Sequence, residues 1–350
     1  MEPEKQQRRK EFFGTQVNAH SHMFEMIVGY TISQVVRATA FYSLAEHLDN
    51  GLLTAGDISA AESLHPVATF RLMRTCASLG MMTYDRQTKT FGSTPLLRTL
   101  RKDDPASLRS LALLMTSASH WLPWGRICES VASGEPQSES TLGRDFWTHL
   151  EESPAEAENF TDAMRRASNF FDAEVGTLID MQSVRTVVDV GGASGSFVQA
   201  LMKAYPELQG AVFDLPSVVP AAQRAARDHG VEGRFSTTGG DFFKDQLPGA
   251  DMYLLKMIMH DWDDEACLAI LRNCRRCINE GGRLVVAEMV VGEPGDVGYA
   301  PLADLLMMVT LGGRERTVRE FEHLFADSGF RLTSTTPTST PFVLVEARTA

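Results

Sequence analysis

Thr186-Val187-Val188-Asp189-Val190-Gly191-Gly192-Ala193-Ser194-Gly195 decides the fold of this 350-residue chain. A short β-branched run reads as a strand covered on both faces, and a glycine-rich turn follows it directly. The turn opens into Ser196 to Tyr205, which has helical periodicity. Working outward, Ala211-Val212-Phe213-Asp214, Asp251 to Met257 and Arg283-Leu284-Val285-Val286-Ala287-Glu288 read as further strands. Val218 to His229 and Glu265 to Ile278 read as the helices between them. Alternating strands and helices predict an α/β class with a doubly wound parallel sheet. Arg331-Leu332-Thr333-Ser334 and Phe342-Val343-Leu344-Val345-Glu346 read as a closing antiparallel hairpin, which makes the sheet mixed.

The glycine turn departs from the dinucleotide fingerprint, because Ala193 and Ser196 stand where glycines would be. Asp189 precedes the first glycine by two residues. A carboxylate there repels a pyrophosphate and suits a cationic or zwitterionic ligand. Asp214 ends the second strand, where an acid can bind a ribose hydroxyl pair. Gly239-Gly240-Asp241-Phe242 offers a carboxylate to an exocyclic amine and an apolar face to a purine. This ordered set describes S-adenosylmethionine better than NAD. The bland alternative is a glycine turn with capping aspartates.

Asp251 to Ile258 leads into Met259-His260-Asp261-Trp262-Asp263-Asp264-Glu265. His260 therefore falls at the carboxyl end of a parallel strand, where open α/β sheets bind ligands. Its ordinary pKa suits proton abstraction near neutral pH. Taken alone, a histidine in such a place is more often structural than catalytic.

The rest of the chain divides at residues 1-103, 104-181 and 182-350. In the first region, Val17 to Tyr30 and Ile32 to Leu48 read as two apolar helices. A short helix opening at Thr54 and another at Pro66 follow, then a hairpin of Met81-Met82-Thr83-Tyr84 and Lys89-Thr90-Phe91-Gly92. That order is winged-helix-like and raises a DNA-binding regulator as a rival. Arg71 and Arg74 are the only basic residues of the second helix, too few for a phosphate-binding stripe. The methionine-rich helices favour a dimerisation scaffold. The middle region is helical and carries Trp121, Trp124, Phe146 and Trp147, with Phe160 and Met164 on one helix face.

A net charge of −12 argues against a nucleic-acid partner, and 43% hydrophobic with 22% charged residues is an ordinary globular balance. No apolar run is long enough for a membrane-spanning helix. The first ten residues are polar, with no signal-type core behind them. Five cysteines suggest no disulfide framework, so a cytoplasmic location is expected. Cys274-Arg275-Arg276-Cys277 lies inside a helical pattern with Cys267 and reads as a packed helix face rather than a metal or redox site.

Taken together, Val188 to Gly195, Phe213-Asp214-Leu215-Pro216, Gly239 to Phe243, Leu255 to Trp262 and Gly312-Gly313-Arg314-Glu315-Arg316-Thr317 resemble the small-molecule O-methyltransferases. These are the plant caffeate and flavonoid enzymes, the hydroxyindole enzyme, and bacterial enzymes of polyketide and antibiotic pathways. The resemblance covers nearly the whole chain. It implies a Rossmann-like class I methyltransferase sheet behind a mainly α, winged-helix-like dimerisation domain, and hence a homodimer. It implies S-adenosyl-L-methionine as methyl donor and S-adenosyl-L-homocysteine as product. Residue by residue, it makes Asp189, Gly191, Asp214, Asp241, Phe242, Lys256 and Ser168 cofactor contacts. Lys256 would use its backbone carbonyl, its side chain being surface charge as the alternative. His260 matches the catalytic base, and Glu288 and Glu315 match two acids that hold it.

Glu315 between two arginines would otherwise read as a solvated ion pair. Asp261 is either a helix cap or a cofactor neighbour. Phe160, Met164, Met307, Met308 and Thr310 match the substrate wall. Plant members commonly carry asparagine at the place of Thr310 and histidine near Ala167, so hydrogen bonds from those groups do not carry over. The activity implied is methyl transfer to a hydroxyl of an aromatic small molecule in secondary metabolism. No metal-ligand cluster is expected. Rivals are N-methylation or a non-methylating reaction on the same fold, and the ligand-sensing regulator.

Overall fold

The computed structural model describes residues 19–350, apart from the side chains of Ser168, Asn169, Phe170 and Ala173. The start of the first expected helix and the polar N-terminal segment lie outside the described residues. The described residues form two compact units, one within residues 19–117 with 155–166, and one of residues 118–154 with 167–350.

The first unit opens with α1 (Ala19–Phe41) and α2 (Leu44–His47). One helix thus spans the point where two were expected. The hydroxyl of Thr31 donates to the carbonyl of Val28 (2.7 Å), so this residue is satisfied inside the helix and does not break it. A left-handed residue, Ser43 (φ 52), ends the run instead. Next come β1 (Leu53–Thr54), α3 (Ala55–Ala61), α4 (Pro66–Ser78), β2 (Met82–Asp85) and β3 (Thr90–Ser93). Thr54 caps α3 in a reciprocal capping box with Asp57. β1 pairs with β3, so the expected hairpin is part of a three-stranded sheet. Ile58, Met73, Cys76, Phe91 and Leu97 form the core. The short helix α5 (Pro95–Arg98) and α6 (Arg109–Leu114) complete this unit together with part of α11.

Helices α7 (Ala118–Trp124), α8 (Ile127–Ser133), α9 (Ser138–Leu142) and α10 (Phe146–Glu152) precede the long α11 (Pro154–Leu178), which runs through both units. The sheet unit follows: β4 (Thr186–Val190), α12 (Ser196–Ala204), β5 (Gln209–Asp214), α13 (Val219–Asp228), β6 (Phe235–Gly239), β7 (Ala250–Lys256), α14 (Asp264–Cys277) and β8 (Ile278–Met289). Then come α15 (Ala300–Thr310), α16 (Val318–Asp327), β9 (Phe330–Pro337) and β10 (Phe342–Thr349). The strand order is β6-β5-β4-β7-β8-β10-β9. β4 through β8 are parallel, while β10 pairs antiparallel with both β8 and β9. This is the mixed sheet expected from the sequence.

Successive residues point to opposite faces of a strand. Tyr253, Leu255, Leu284 and Val286 join the core layer that holds α14 and α16. Met252, Leu254, Val285 and Ala287 join the layer that holds α12 and α13. Cys267, Ile270, Leu271 and Cys274 are the buried stripe of α14, and all five cysteines are free thiols. The helix-face reading of these cysteines therefore holds. The parallel strands deliver their carboxyl ends to one edge, and every sheet-borne candidate sits there.

Leu255 is fully buried between sheet and helices, whereas Val297 is fully exposed. Leu255→Ala is expected to cost about 2–5 kcal/mol of stability. Val297→Ala should stay within about 0.5 kcal/mol. Denaturant unfolding of the two variants measures the contrast.

Candidate active site

The chain leaves β7 through Met257, which holds a left-handed conformation (φ 55), and turns into a one-turn 3₁₀ segment, Met259–Asp261. His260 lies in that turn and is 6% exposed. Its Nδ1 is 2.8 Å from Glu315 Oε1 and 3.5 Å from Glu288 Oε2. An ionised carboxylate only accepts, so Nδ1 carries hydrogen, and Nε2 is the acceptor whenever the ring is neutral. Asp261 Oδ1 lies 3.4 Å from Nε2. Asp261 neither caps α14 nor faces away. Asp263 is the cap, accepting from Ala266 N–H.

Glu288 continues the row of Leu284 and Val286 on β8 and is fully buried. Its Oε1 accepts from the backbone N–H groups of Ile258 (2.9 Å) and Met259 (2.8 Å). It thus fixes the backbone entering the turn while its other oxygen faces the ring. Glu315 is also buried, not solvated, which corrects the surface ion-pair reading. Neither Glu288 Oε2 nor Glu315 Oε2 has a hydrogen-bond partner.

Burial alone pulls the imidazole pKa down, but the carboxylates of Glu288, Asp261 and Glu315 outweigh it and push it up to about 10. Burial pushes Asp261 up to about 6 despite the opposing His260 charge. Glu288 is raised as well, chiefly by burial. His260, Glu288 and Glu315 each bring a potential metal-ligand atom within 4.8 Å of the others. The expectation of no metal-ligand cluster is therefore corrected in geometry. Folding gathers three donors that are far apart in sequence.

The glycine turn lies at the end of β4, beside this group. Gly191 has φ 68, and a Cβ there would come within 2.5 Å of Ile258 Cδ1 and 3.7 Å of Phe242 Cε1. Only glycine fits where the left-handed backbone passes this close to Ile258. Asp214 closes one side, with its Oδ2 accepting from Ala193 N–H (2.8 Å) and its Oδ1 from Leu215 N–H (2.7 Å). Burial raises its pKa against these two bonds.

Asp241 follows β6 and pairs with Lys244 (2.8 Å), which holds its carboxyl below the usual range. Asn273 of α14 donates to the carbonyls of Phe242 and Asp245 (2.8 Å each) and so pins this turn. Phe242 packs edge-to-face on Trp262 (6.2 Å between centroids). Asp189 is 1% exposed, and burial pushes its carboxyl up to about 7 against the pull of Lys256. Its Oδ2 has no hydrogen-bond partner.

Lys256 is not surface charge. Its side chain is 12% exposed, and Nζ lies 3.4 Å from Asp172 and 3.2 Å from Ser196 Oγ. It also sits above the rings of Phe171 (5.6 Å) and Phe197 (5.7 Å). Met307 and Met308 are half-buried on α15. Thr310 is buried, and its hydroxyl donates to Leu306 in the same helix (2.6 Å), so this hydroxyl serves the helix. Phe160 and Met164 are half-buried on the part of α11 that belongs to the first unit. The Ser168 side chain lies outside the described residues.

The family model of the O-methyltransferase domain matches residues 124–331, and that of the O-methyltransferase dimerisation domain matches residues 24–103. The chain belongs to this O-methyltransferase family. It is 33% identical to a phenazine O-methyltransferase of Lysobacter antibioticus over 94% of this chain and 96% of the relative. Human N-acetylserotonin methyltransferase, solved with S-adenosylmethionine, superposes with a TM-score of 0.87 at 26% identity over 96% of this chain and 99% of that one. An O-methyltransferase from neocarzinostatin biosynthesis, solved with S-adenosylmethionine and 2-hydroxy-5-methyl naphthoic acid, gives a TM-score of 0.80 at 31% identity over 91% and 96%.

The chain is thus an O-methyltransferase, with S-adenosyl-L-methionine as its cofactor. Its residues fit that cofactor: the turn at Gly191 has no room for a side chain, and the buried Asp189 has an oxygen without a partner. Sequence reading missed Asn273, Asp172, Asp304 and Arg316. Each acts through a long-range hydrogen bond or ion pair that no local pattern announces.

The pH dependence of stability follows from His260. Its pKa is raised from 6.5 to about 10, so its contribution is fully present below about pH 6.5 and is lost as pH rises through about 10. Glu315→Gln removes one carboxylate from the ring and should move that loss to lower pH. Melting temperatures recorded from pH 6 to 10 in both proteins check the shift.

Proposed function

We propose that this enzyme methylates a hydroxyl of an aromatic small molecule in secondary metabolism, with His260 as general base and direct, metal-independent transfer. The observation that carries this reading is the buried His260, held at Nδ1 by Glu315 at 2.8 Å, at the strand end beside the glycine cradle. Relatives that act on phenazine and naphthoate hydroxyls support an aromatic acceptor.

A phenol has a pKa of about 10, so little phenolate exists at neutral pH. S-adenosyl-L-methionine supplies a methyl group already activated on a sulfonium. What the protein must add is alignment and removal of the phenolic proton. In this reading His260 Nε2 takes that proton, and Glu288 and Glu315 stabilise the imidazolium that forms. His260 loses part of its raised pKa when a cation occupies the neighbouring cradle, because like charges disfavour the charged ring. Direct base chemistry is favoured over a metal for a geometric reason. A metal ion ligated by Nδ1 would have to displace its bond to Glu315.

Asp189, Gly191, Asp214, Asp241, Phe242 and the Lys256 carbonyl are assigned to the cofactor, with Ser168 added from the family pattern. Asp189, buried and lacking one partner, suits a cationic ligand rather than a pyrophosphate. Met307 and Met308 are assigned to the acceptor wall, since methionine adapts to flat ligands of varied outline. The apolar residues Met23, Phe24, Met26, Ile27 and Tyr30, all more than half exposed on α1, support a homodimer through the dimerisation domain. Five free thiols fit a reducing cytoplasm.

Turnover of His260→Ala is expected to fall by about 10²–10⁴-fold. Its affinity for S-adenosyl-L-methionine should stay within about threefold of the parent. A screen of hydroxynaphthoates and hydroxyphenazines with methyl-labelled cofactor, followed by calorimetry, reads both. Near-parental turnover would remove His260 from the mechanism. A product carrying no added methyl would overturn the reaction itself. Dialysis against a chelator should leave turnover unchanged, and a loss restored by a divalent metal would reverse the choice between base and metal.

A further inference from the structure

The geometry points to Arg316 as a positioning residue that sets the His260 turn, with Gly313 as the backbone contact that lets it do so. The inference rests on His260 being the general base.

His260 sits in a single 3₁₀ turn, Met259–Asp261, too short to hold its own conformation. Arg316 is fully buried and reaches across to that turn from a separate segment. Its Nη1 donates to the carbonyl of Met259 (2.6 Å) and its Nη2 to the carbonyl of Trp262 (2.8 Å). These carbonyls lie on either side of His260 in the chain. Nε and Nη2 also donate to Asp264 Oδ1 at the start of α14 (3.0 and 2.8 Å). One planar guanidinium therefore ties the turn to the helix that follows it. A lysine has a single nitrogen and cannot reproduce that fork. Burying the charge is costly, and Asp264 supplies its counter-ion.

The segment that carries Arg316 is itself anchored. Its backbone bridges Val290, two residues beyond Glu288, and its carbonyl accepts from Val291 N–H (3.1 Å). Thr317 then starts α16 with a capping box. Asp304 of α15 accepts from Glu315 N–H (3.0 Å). Gly313 passes directly against the turn: a Cβ there would lie 2.0 Å from the His260 carbonyl oxygen and 2.6 Å from the Asp261 carbonyl carbon. Both close contacts are to backbone, which cannot give way as a side chain does. A single short segment thus holds the imidazole through Glu315 and its backbone through Arg316.

The test compares Arg316→Met, Arg316→Lys and His260→Ala on naphthols of graded acidity, with cofactor affinity measured by calorimetry. Arg316→Met should lower kcat for a weakly acidic naphthol by about 10- to 100-fold. Cofactor affinity should change by less than about twofold. The loss should shrink as the acceptor becomes acidic enough to ionise unaided, because a displaced base then matters less. Arg316→Lys should recover only part of the loss.

A role in folding alone would lower turnover equally for every acceptor, and that result overturns the proposal. So does parental turnover in Arg316→Met while His260→Ala is inactive, which leaves the general-base reading intact. An active His260→Ala overturns both. If Arg316→Met does not fold, Asp264→Asn at a half-exposed position decides. It should give a smaller loss with the same dependence on acceptor acidity, and no loss, or one independent of acidity, counts against the clamp.

Discussion

The rest of the site depends on balancing charge in a place that excludes water. His260, Asp261, Glu288 and Glu315 are all screened from solvent at the edge where β7 and β8 end. Burying ions is expensive unless each is paired or hydrogen-bonded. The fold meets this demand with one potential cation among three acids, and with backbone N–H groups spent on Glu288. Two carboxylate oxygens remain without partners, on Glu288 and Glu315. Such groups favour a proton nearby, which is why the ring holds one so firmly.

A second balance operates under the glycine turn. Asp189 and Asp172 face one ammonium, Lys256, whose stem lies against two aromatic rings. The two acids outnumber the one cation, and burial raises the Asp189 pKa against the pull of Lys256. The two balances adjoin through Ile258, whose side chain lies under Gly191 and whose N–H is held by Glu288. The carboxylate that faces His260 therefore also fixes the backbone of the residue that packs under Gly191.

Much of this was legible in the sequence. The β-branched runs, the glycine turn and the helical segments between strands led to the observed sheet, because periodicity and turn chemistry are local properties. The helix-face reading of Cys267, Cys274 and Cys277 held for the same reason. Thr31 misled, since a hydroxyl that bonds back to its own helix looks like a break in apolar periodicity. The third strand of the small sheet, Leu53–Thr54, has two residues and no pattern of its own. Lys256 and Glu315 were ambiguous, since a charged side chain in isolation is most often solvated.

The sequence by itself determined the class of fold and, through its motifs, the family and its cofactor. These follow from spacing along the chain. Tertiary structure alone decided that Asp261 also faces the His260 ring, that Lys256 turns inward to Asp172, that Thr310 spends its hydroxyl on its own helix and that Arg316 grips the histidine turn. The physical reason is separation. Glu315 lies 55 residues from His260 and Arg316 lies 57 from Met259, and only packing of the intervening elements brings them within hydrogen-bond distance. Burial then changes what those charges do, and burial is a property of the folded molecule.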